Sequence, residues 1–196
     1  MIVIGLTGTI ASGKTTTAAM LAEAGIPVFS ADEAVHRLYA GPAAARVEAA
    51  FPGVVESGVV DRKRLGAMLE LEPYRLADLE AIVHPLVRAA EAAFVAEANA
   101  ARQPMVVLEI PLLFETGAEE RMDVVITTTA PEPLRRSRAM ERLGMTPARY
   151  QLLSARQHTD AEKRAGAHYV VDTSRGMDAA ERDVRAILAK IAESRR

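Results

Sequence analysis

Short blocks of consecutive apolar residues recur along the chain and alternate with longer stretches in which apolar positions return every three or four residues. Ile2 to Thr7, Ile26 to Ser30, Met105 to Glu109, Asp123 to Thr128 and Tyr169 to Asp172 are of the first kind, and their β-branched content predicts five short buried strands. Thr15 to Ala24 reads as a helix ended by Gly25, and Asp32 to Tyr39 as one closed by Gly41-Pro42. Residues 43–101 read as largely helical, with breaks at Phe51-Pro52-Gly53, Glu56-Ser57-Gly58 and Pro73. Within them Arg62 to Leu71 and Leu76 to Val83 carry the helical period, and His84-Pro85 opens a long alanine-rich helix. Pro131 starts another helix, Gly144 interrupts it, and Thr146-Pro147 restarts it as an N-cap followed by proline. An amphipathic helix from Met177 to about Ala192 closes the pattern. Strands alternating with helices predict right-handed crossovers, a parallel sheet covered on both faces, and hence an α/β fold.

Composition narrows the function without naming it. At 196 residues and 49% hydrophobic content the chain can bury a sizeable core, and one unit with insertions is expected. A formal net charge of −2 without long basic runs argues against nucleic acid and for a small substrate. The absence of cysteine removes disulfides, thiolate metal sites and a cysteine nucleophile, and fits a reducing cytoplasm. The first apolar run has no basic leader, and no stretch nears the roughly eighteen apolar residues of a membrane span, so a soluble cytoplasmic protein is expected.

Between the first strand and the first helix lies Gly8-Thr9-Ile10-Ala11-Ser12-Gly13-Lys14-Thr15, which fits G-x-x-x-x-G-K-[ST], the phosphate-binding loop of P-loop NTPases. A backbone that wraps its N–H groups around phosphate oxygens needs unusual φ angles and close approach, which Gly8 and Gly13 allow. The helix that follows aims its positive end at the same anion. Lys14 would reach the β- and γ-phosphates, and the Thr15 hydroxyl would sit on Mg²⁺.

Several carboxylates and cations stand where such a site would use them. Asp32 lies just past the second strand, at the sheet end where ligands of open α/β folds collect, and is the candidate base for an attacking hydroxyl; a helix-capping carboxylate is the alternative. Glu109 ends the third strand in the setting of an acidic residue that holds Mg²⁺ through water, although structural carboxylates also occupy such ends. Arg135, Arg136, Arg138 and Arg142 crowd together, and on a continuing helix 135, 138 and 142 would share one face able to close over ATP; a solvated charged face is the alternative. His84 before Pro85 can serve a local hydrogen bond as readily as a chemical step. The histidines show no metal-ligand spacing, so no metal site is expected from protein side chains alone.

Taken in order, the motifs resemble those of the dephospho-coenzyme A kinase family along almost the whole chain. They are Gly5-Leu6-Thr7-Gly8-Thr9-Ile10-Ala11-Ser12-Gly13-Lys14-Thr15, Ser30-Ala31-Asp32 for D-A-D, His84-Pro85-Leu86-Val87-Arg88 for H-P-x-V-R, Pro111 to Glu115 for P-L-L-F-E, and Tyr169-Val170-Val171-Asp172. The resemblance implies a P-loop kinase fold with a five-stranded parallel core at about 1–42, 103–130 and 166–196. A helical substrate-binding insertion would occupy about 43–102 and a helical lid about 131–165. It implies transfer of the γ-phosphoryl group of ATP, with Mg²⁺, to the ribose 3′-hydroxyl of dephospho-coenzyme A.

On that resemblance, Ala11, Ser12, Gly13, Lys14, Thr15 and Thr16 hold the ATP phosphates with Gly8, Asp32 activates the acceptor, and Arg138 and Arg142 belong to the lid, Arg138 as a catalytic residue beside Lys14 and Asp32 and Arg142 as one that binds ATP. His84, Arg88, Pro111, Leu112, Leu113 and Glu115 fall on the acceptor side, with a monomer or weak homo-oligomer as the expected state. Three positions depart from the family pattern: Ser30 replaces the first carboxylate of D-A-D, Arg135 stands at a usual glutamine position, and Leu143 at a usual acidic one. Another small P-loop kinase, acting on a nucleoside monophosphate, gluconate or shikimate, would share the ATP half. A regulatory GTPase is disfavoured because D-x-x-G after the second strand and N-K-x-D are both missing.

Overall fold

The opening apolar run becomes β1 (Ile2–Gly8), and after the glycine loop α1 (Lys14–Glu23) follows. A computed structural model gives this architecture and describes residues 1–193. β2 (Val28–Ser30) is shorter than the apolar run that announces it, because Ile26 still belongs to the turn off α1, its N–H donating to the Leu21 carbonyl at 3.2 Å. By density of internal contacts, Met1–Phe29 groups with the chain from Ala98 onward, and Ser30–Glu97 forms a second unit.

The second unit comprises α2 (Ala31–Tyr39), α3 (Ala44–Ala50), β3 (Val55–Glu56), β4 (Val59–Val60), α4 (Arg62–Leu71) and most of α5 (Leu76–Ala100). Leu38, Val47, Phe51, Val60, Leu65 and Val83 form its core. The antiparallel pair β3–β4 is an addition to the expected elements, since Glu56-Ser57-Gly58 reads only as a break. Ser57 and Gly58 both adopt positive φ, 51° and 80°, the backbone that reverses a chain between two closely paired strands. Asp61 starts α4 by accepting the Lys63 and Arg64 N–H groups at 2.9 and 3.1 Å.

α5 requires a larger correction. His84-Pro85 does not open this helix; it begins at Leu76 and runs 25 residues with Pro85 inside it. An internal proline costs about 3 kcal/mol through its missing N–H and its ring. Leu79 and Val83 before it, with Leu86 and Val87 after it, all pack on the same core, and burying such side chains at roughly 1.5–3 kcal/mol each outweighs that cost.

The chain from Ala98 onward supplies β5 (Met105–Glu109), β6 (Val124–Thr129), α6 (Glu132–Met140), α7 (Pro147–Ala155), α8 (Asp160–Gly166), β7 (Tyr169–Asp172) and α9 (Met177–Glu193). Five strands form a sheet in the order β2-β5-β1-β6-β7, with β1 parallel to both β5 and β6, and β6 parallel to β7. Successive residues of a strand face opposite ways, and β1 uses both faces. Ile2, Ile4 and Leu6 pack with Leu21 of α1 and with Val184, Ile187 and Ile191 of α9. On the other face, Gly5 leaves room for Leu113 and Met122, and Thr7 meets Lys163 of α8.

Register then positions the chemistry. Leu6 pairs with Glu109 and Gly8 with Thr128, so the ends of β5 and β6 flank the start of the glycine loop. α6 stops at Met140, short of the expectation, so Arg142 shares no helical face with Arg135 and Arg138: its N–H donates to Ala139 O at 3.0 Å in a turn that Gly144 completes at φ 75°. Thr146 caps α7 as expected, accepting from Arg149 N–H at 3.2 Å with Pro147 as the first helical residue. Among the described residues no helix is long and apolar enough to cross a membrane.

Candidate active site

Two glycines and one strained alanine shape the loop after β1. Gly13 sits at φ 92° as the N-cap of α1, where it offers no side chain to cap the helix, so the first-turn N–H groups are left for an anion. Ala11 is held at φ 58°, a region that L-residues other than asparagine and aspartate seldom occupy. Gly8 is required by space: a Cβ there would lie 2.1 Å from Thr128 Oγ1 and 2.4 Å from Ser12 Oγ. Those two hydroxyls are 2.6 Å apart, and because Thr128 Oγ1 donates to the Thr7 carbonyl at 3.3 Å, Ser12 is the donor between them. Ser12 thus faces β6, whereas Thr16 is exposed at the open side of α1.

Lys14 is held by a buried carboxylate. Its Nζ lies 2.6 Å from Glu109 Oε1, with the two side chains 13% and 6% exposed, so the ammonium is fixed where its charge is weakly screened. Thr15 Oγ1 is 3.5 Å from the same oxygen. A hydroxyl and a carboxylate are hard oxygen donors that suit Mg²⁺. Among the described residues no group of three or more His, Cys, Asp or Glu is placed to hold a metal ion by itself.

The arginines separate in space. Arg138 grips Thr173, donating from Nη1 to its hydroxyl at 2.9 Å and from Nη2 to its carbonyl at 2.8 Å, while the Thr173 hydroxyl lies 2.8 Å from the Ser12 carbonyl. Arg138 is thereby linked to the phosphate loop through one threonine. Arg135, 9% exposed, turns inward and donates from Nε to the Ala130 carbonyl at 3.0 Å, binding the start of α6 to the end of β6. Arg136 and Arg142 are exposed, and so is Leu143.

Pro111 to Glu115 fold into a turn after β5 that a second lysine secures. Lys163 is 1% exposed, and its Nζ lies 2.8 Å from Glu115 Oε1 and donates to the Pro111 carbonyl at 3.2 Å. Burial pushes its ammonium below the usual lysine range; Lys14's charge adds to this and Glu115 opposes it. Leu113 is fully buried beneath β1, and Leu112 is half-buried. The sequence reading missed Lys163, Gln157 and Thr173. Thr159 and Glu162 announce a capping box for α8, but nothing local distinguishes Lys163 from the solvated charges on either side.

Asp32, His84 and Arg88 belong to the second unit. Asp32 is the second residue of α2, two residues past the end of β2, and is exposed. Ser30 caps this helix by accepting from Glu33 N–H at 3.4 Å, a role that Asp32 does not share. His84 is half-buried and Arg88 exposed, one turn apart on α5.

A family model described as dephospho-CoA kinase matches residues 2–179. The chain is 52% identical to a dephospho-CoA kinase of Rhizobium meliloti over 188 residues, 96% of this chain and 97% of that one. Its fold matches the crystal structure of TT1252 from Thermus thermophilus with a TM-score of 0.82 at 35% identity, covering 96% and 97% of the two chains. A dephospho-CoA kinase from Campylobacter jejuni shares the fold with a TM-score of 0.74 at 22% identity, covering 99% and 98%.

Proposed function

The chain belongs to the dephospho-CoA kinase family, and from that premise we propose how its residues divide the work of moving the γ-phosphoryl group of ATP onto the ribose 3′-hydroxyl of dephospho-CoA, the final step of coenzyme A synthesis. A bond forms between the 3′-oxygen and Pγ, the bond from Pγ to the β–γ bridging oxygen breaks, ADP leaves, and the hydroxyl proton must be taken up. Little covalent chemistry falls to the protein, so positioning and charge compensation carry the rate.

The uncapped start of α1 beside Lys14 is the observation that carries the donor half. The N–H groups of Gly13 to Thr16 receive the phosphates, and Ser12 and Gly8 hold the loop against β6. Lys14 neutralises charge on the γ-phosphoryl group, with Glu109 keeping it in place. Mg²⁺ would be held by Thr15, and by Glu109 through water, and would offset phosphate charge. Arg138 steadies the loop through Thr173, and Arg142, in the turn after α6, approaches the nucleotide from the lid.

Asp32 takes the proton, its carboxylate standing exposed in the first turn of α2 with Ser30 already serving as the cap. His84, Arg88 and the turn from Pro111 to Glu115 contact the acceptor. The enzyme works in the cytoplasm on two small molecules. Asp32→Asn should lower kcat by about a hundredfold or more with the KM for ATP unchanged. Steady-state kinetics with dephospho-CoA, shikimate, gluconate and nucleoside monophosphates as acceptors check this. An unchanged kcat removes Asp32 from proton transfer.

A further inference from the structure

Two successive residues before α8 reach the two loops of the site. The Gln157 side chain accepts from the Ile10 N–H at 2.7 Å, inside the phosphate loop and next to the strained Ala11. The His158 N–H donates to Glu115 Oε1 at 2.7 Å, at the end of the turn from Pro111. One turn into α8, Lys163 meets both Glu115 and the Pro111 carbonyl. Asp160 anchors the start of the same helix, accepting from Thr129 Oγ1 at 2.7 Å beside the end of β6. At its far end Gly166 admits Phe114, whose Cε1 would lie 2.8 Å from any Cβ at that position.

We propose that residues 157–166 form a fixed clasp between the donor and acceptor loops, in which Gln157 is a positioning residue for ATP and Lys163, through Glu115, a positioning residue for dephospho-CoA. The Lys163 half rests on the reading of Pro111 to Glu115 as an acceptor wall.

A buried ion pair is a poor device for stability alone, because a well-packed apolar pair of the same volume commonly does as well or better. It is a good device for direction. An ammonium with three donors set between a carboxylate and a carbonyl fixes the turn after β5 in a way that a methyl group cannot. Gln157 acts similarly on the phosphate loop. By occupying the Ile10 N–H it takes that amide out of the set available to phosphate and holds the bend at which Ala11 adopts φ 58°. Because Gln157 and His158 adjoin, the two loops share one rigid reference. The clasp also divides the lid expected at 131–165, because Asp160 and Lys163 fasten α8 to the strand ends and to the turn from Pro111.

The test uses Gln157→Leu, which keeps the volume and removes the acceptor, Gln157→Glu, which keeps the acceptor, and Lys163→Met combined with Glu115→Gln, which leaves no unpaired buried charge. Gln157→Leu should raise the KM for ATP about tenfold while the KM for dephospho-CoA stays within about twofold, and Gln157→Glu should recover most of the loss. The Lys163→Met/Glu115→Gln pair should do the reverse, raising the KM for dephospho-CoA about tenfold and sparing ATP. Melting temperatures confirm that the variants fold. The proposal is overturned if both variants shift both constants equally, or if neither Gln157→Leu nor the neutral pair shifts either constant. Leu112→Ala tests the underlying reading separately. If it raises the KM for dephospho-CoA and the neutral pair does not, the Lys163 role fails alone. If neither raises it, the acceptor wall fails and takes the Lys163 half with it, and the Gln157 half is still decided by the ATP constants.

Discussion

Gly8 shows how one position can serve two masters, the close approach of phosphate and the close approach of β6. The second demand is already visible, since any Cβ would sit 2.1 Å from Thr128 Oγ1 and 3.0 Å from the Thr128 carbonyl. Gly8→Ala should therefore overpack the loop, destabilising the protein by about 1–3 kcal/mol in urea unfolding and abolishing the rise in melting temperature that ATP produces. An unaltered unfolding midpoint would mean that the Ser12 and Thr128 side chains can move aside. The glycine was legible as part of a phosphate-binding spelling; its quarrel with Thr128 was not, because the two meet only through the pairing of β1 with β6.

Elements follow their local signals wherever packing agrees with them. Asp61, Thr146 and Thr159 cap α4, α7 and α8, each on the helix that follows it. α5 is where packing overrules the local signal, because Pro85 loses its hydrogen bond while Val83 and Val87 keep the helix against its core. Restoring an N–H at that exposed position should stabilise the helix. Pro85→Ala is expected to raise unfolding stability by about 1–3 kcal/mol, less the entropy that proline removes from the unfolded chain. Urea unfolding of the two proteins measures the difference, and equal midpoints would show that the helix has already accommodated the ring without cost. His84 and Arg88 stand one turn apart only because this helix does not break, so a misplaced helix start also misplaces the H-P-L-V-R motif.

Across the whole molecule, several carboxylates are held below their usual range by hydrogen bonds: Glu48 first by the Gly53 N–H, Asp61 by the Arg64 N–H, Glu162 by the Thr159 hydroxyl and Asp172 by the Ser174 hydroxyl. With native values lowered, the unfolded chain binds more protons in this window, so stability is fully present above the ordinary carboxylate pKa of about 4 and is lost as pH falls through the lower native values. Lys163 acts with the same sign at the alkaline end, since its ammonium is disfavoured in the folded state and stability rises with pH until the ordinary lysine range is reached. Unfolding free energy measured against pH should show both slopes. Replacing Asp61 and Asp172 by asparagine should flatten the acid one, and an unchanged acid slope would assign it to other groups. The phosphate loop, the alternation of strands and helices and the family motifs were all legible in the sequence, because each is a local spelling with a local physical cause. The partners of Lys14, Ser12, Gln157 and Lys163 were not. Lys14 meets Glu109 at a separation of 95 residues and Thr173 meets Ser12 at 161, distances along the chain that only the register of a parallel sheet can close. Local residue order therefore specified that a phosphate would be gripped, and the packed sheet alone decided which side chains hold the grip in place.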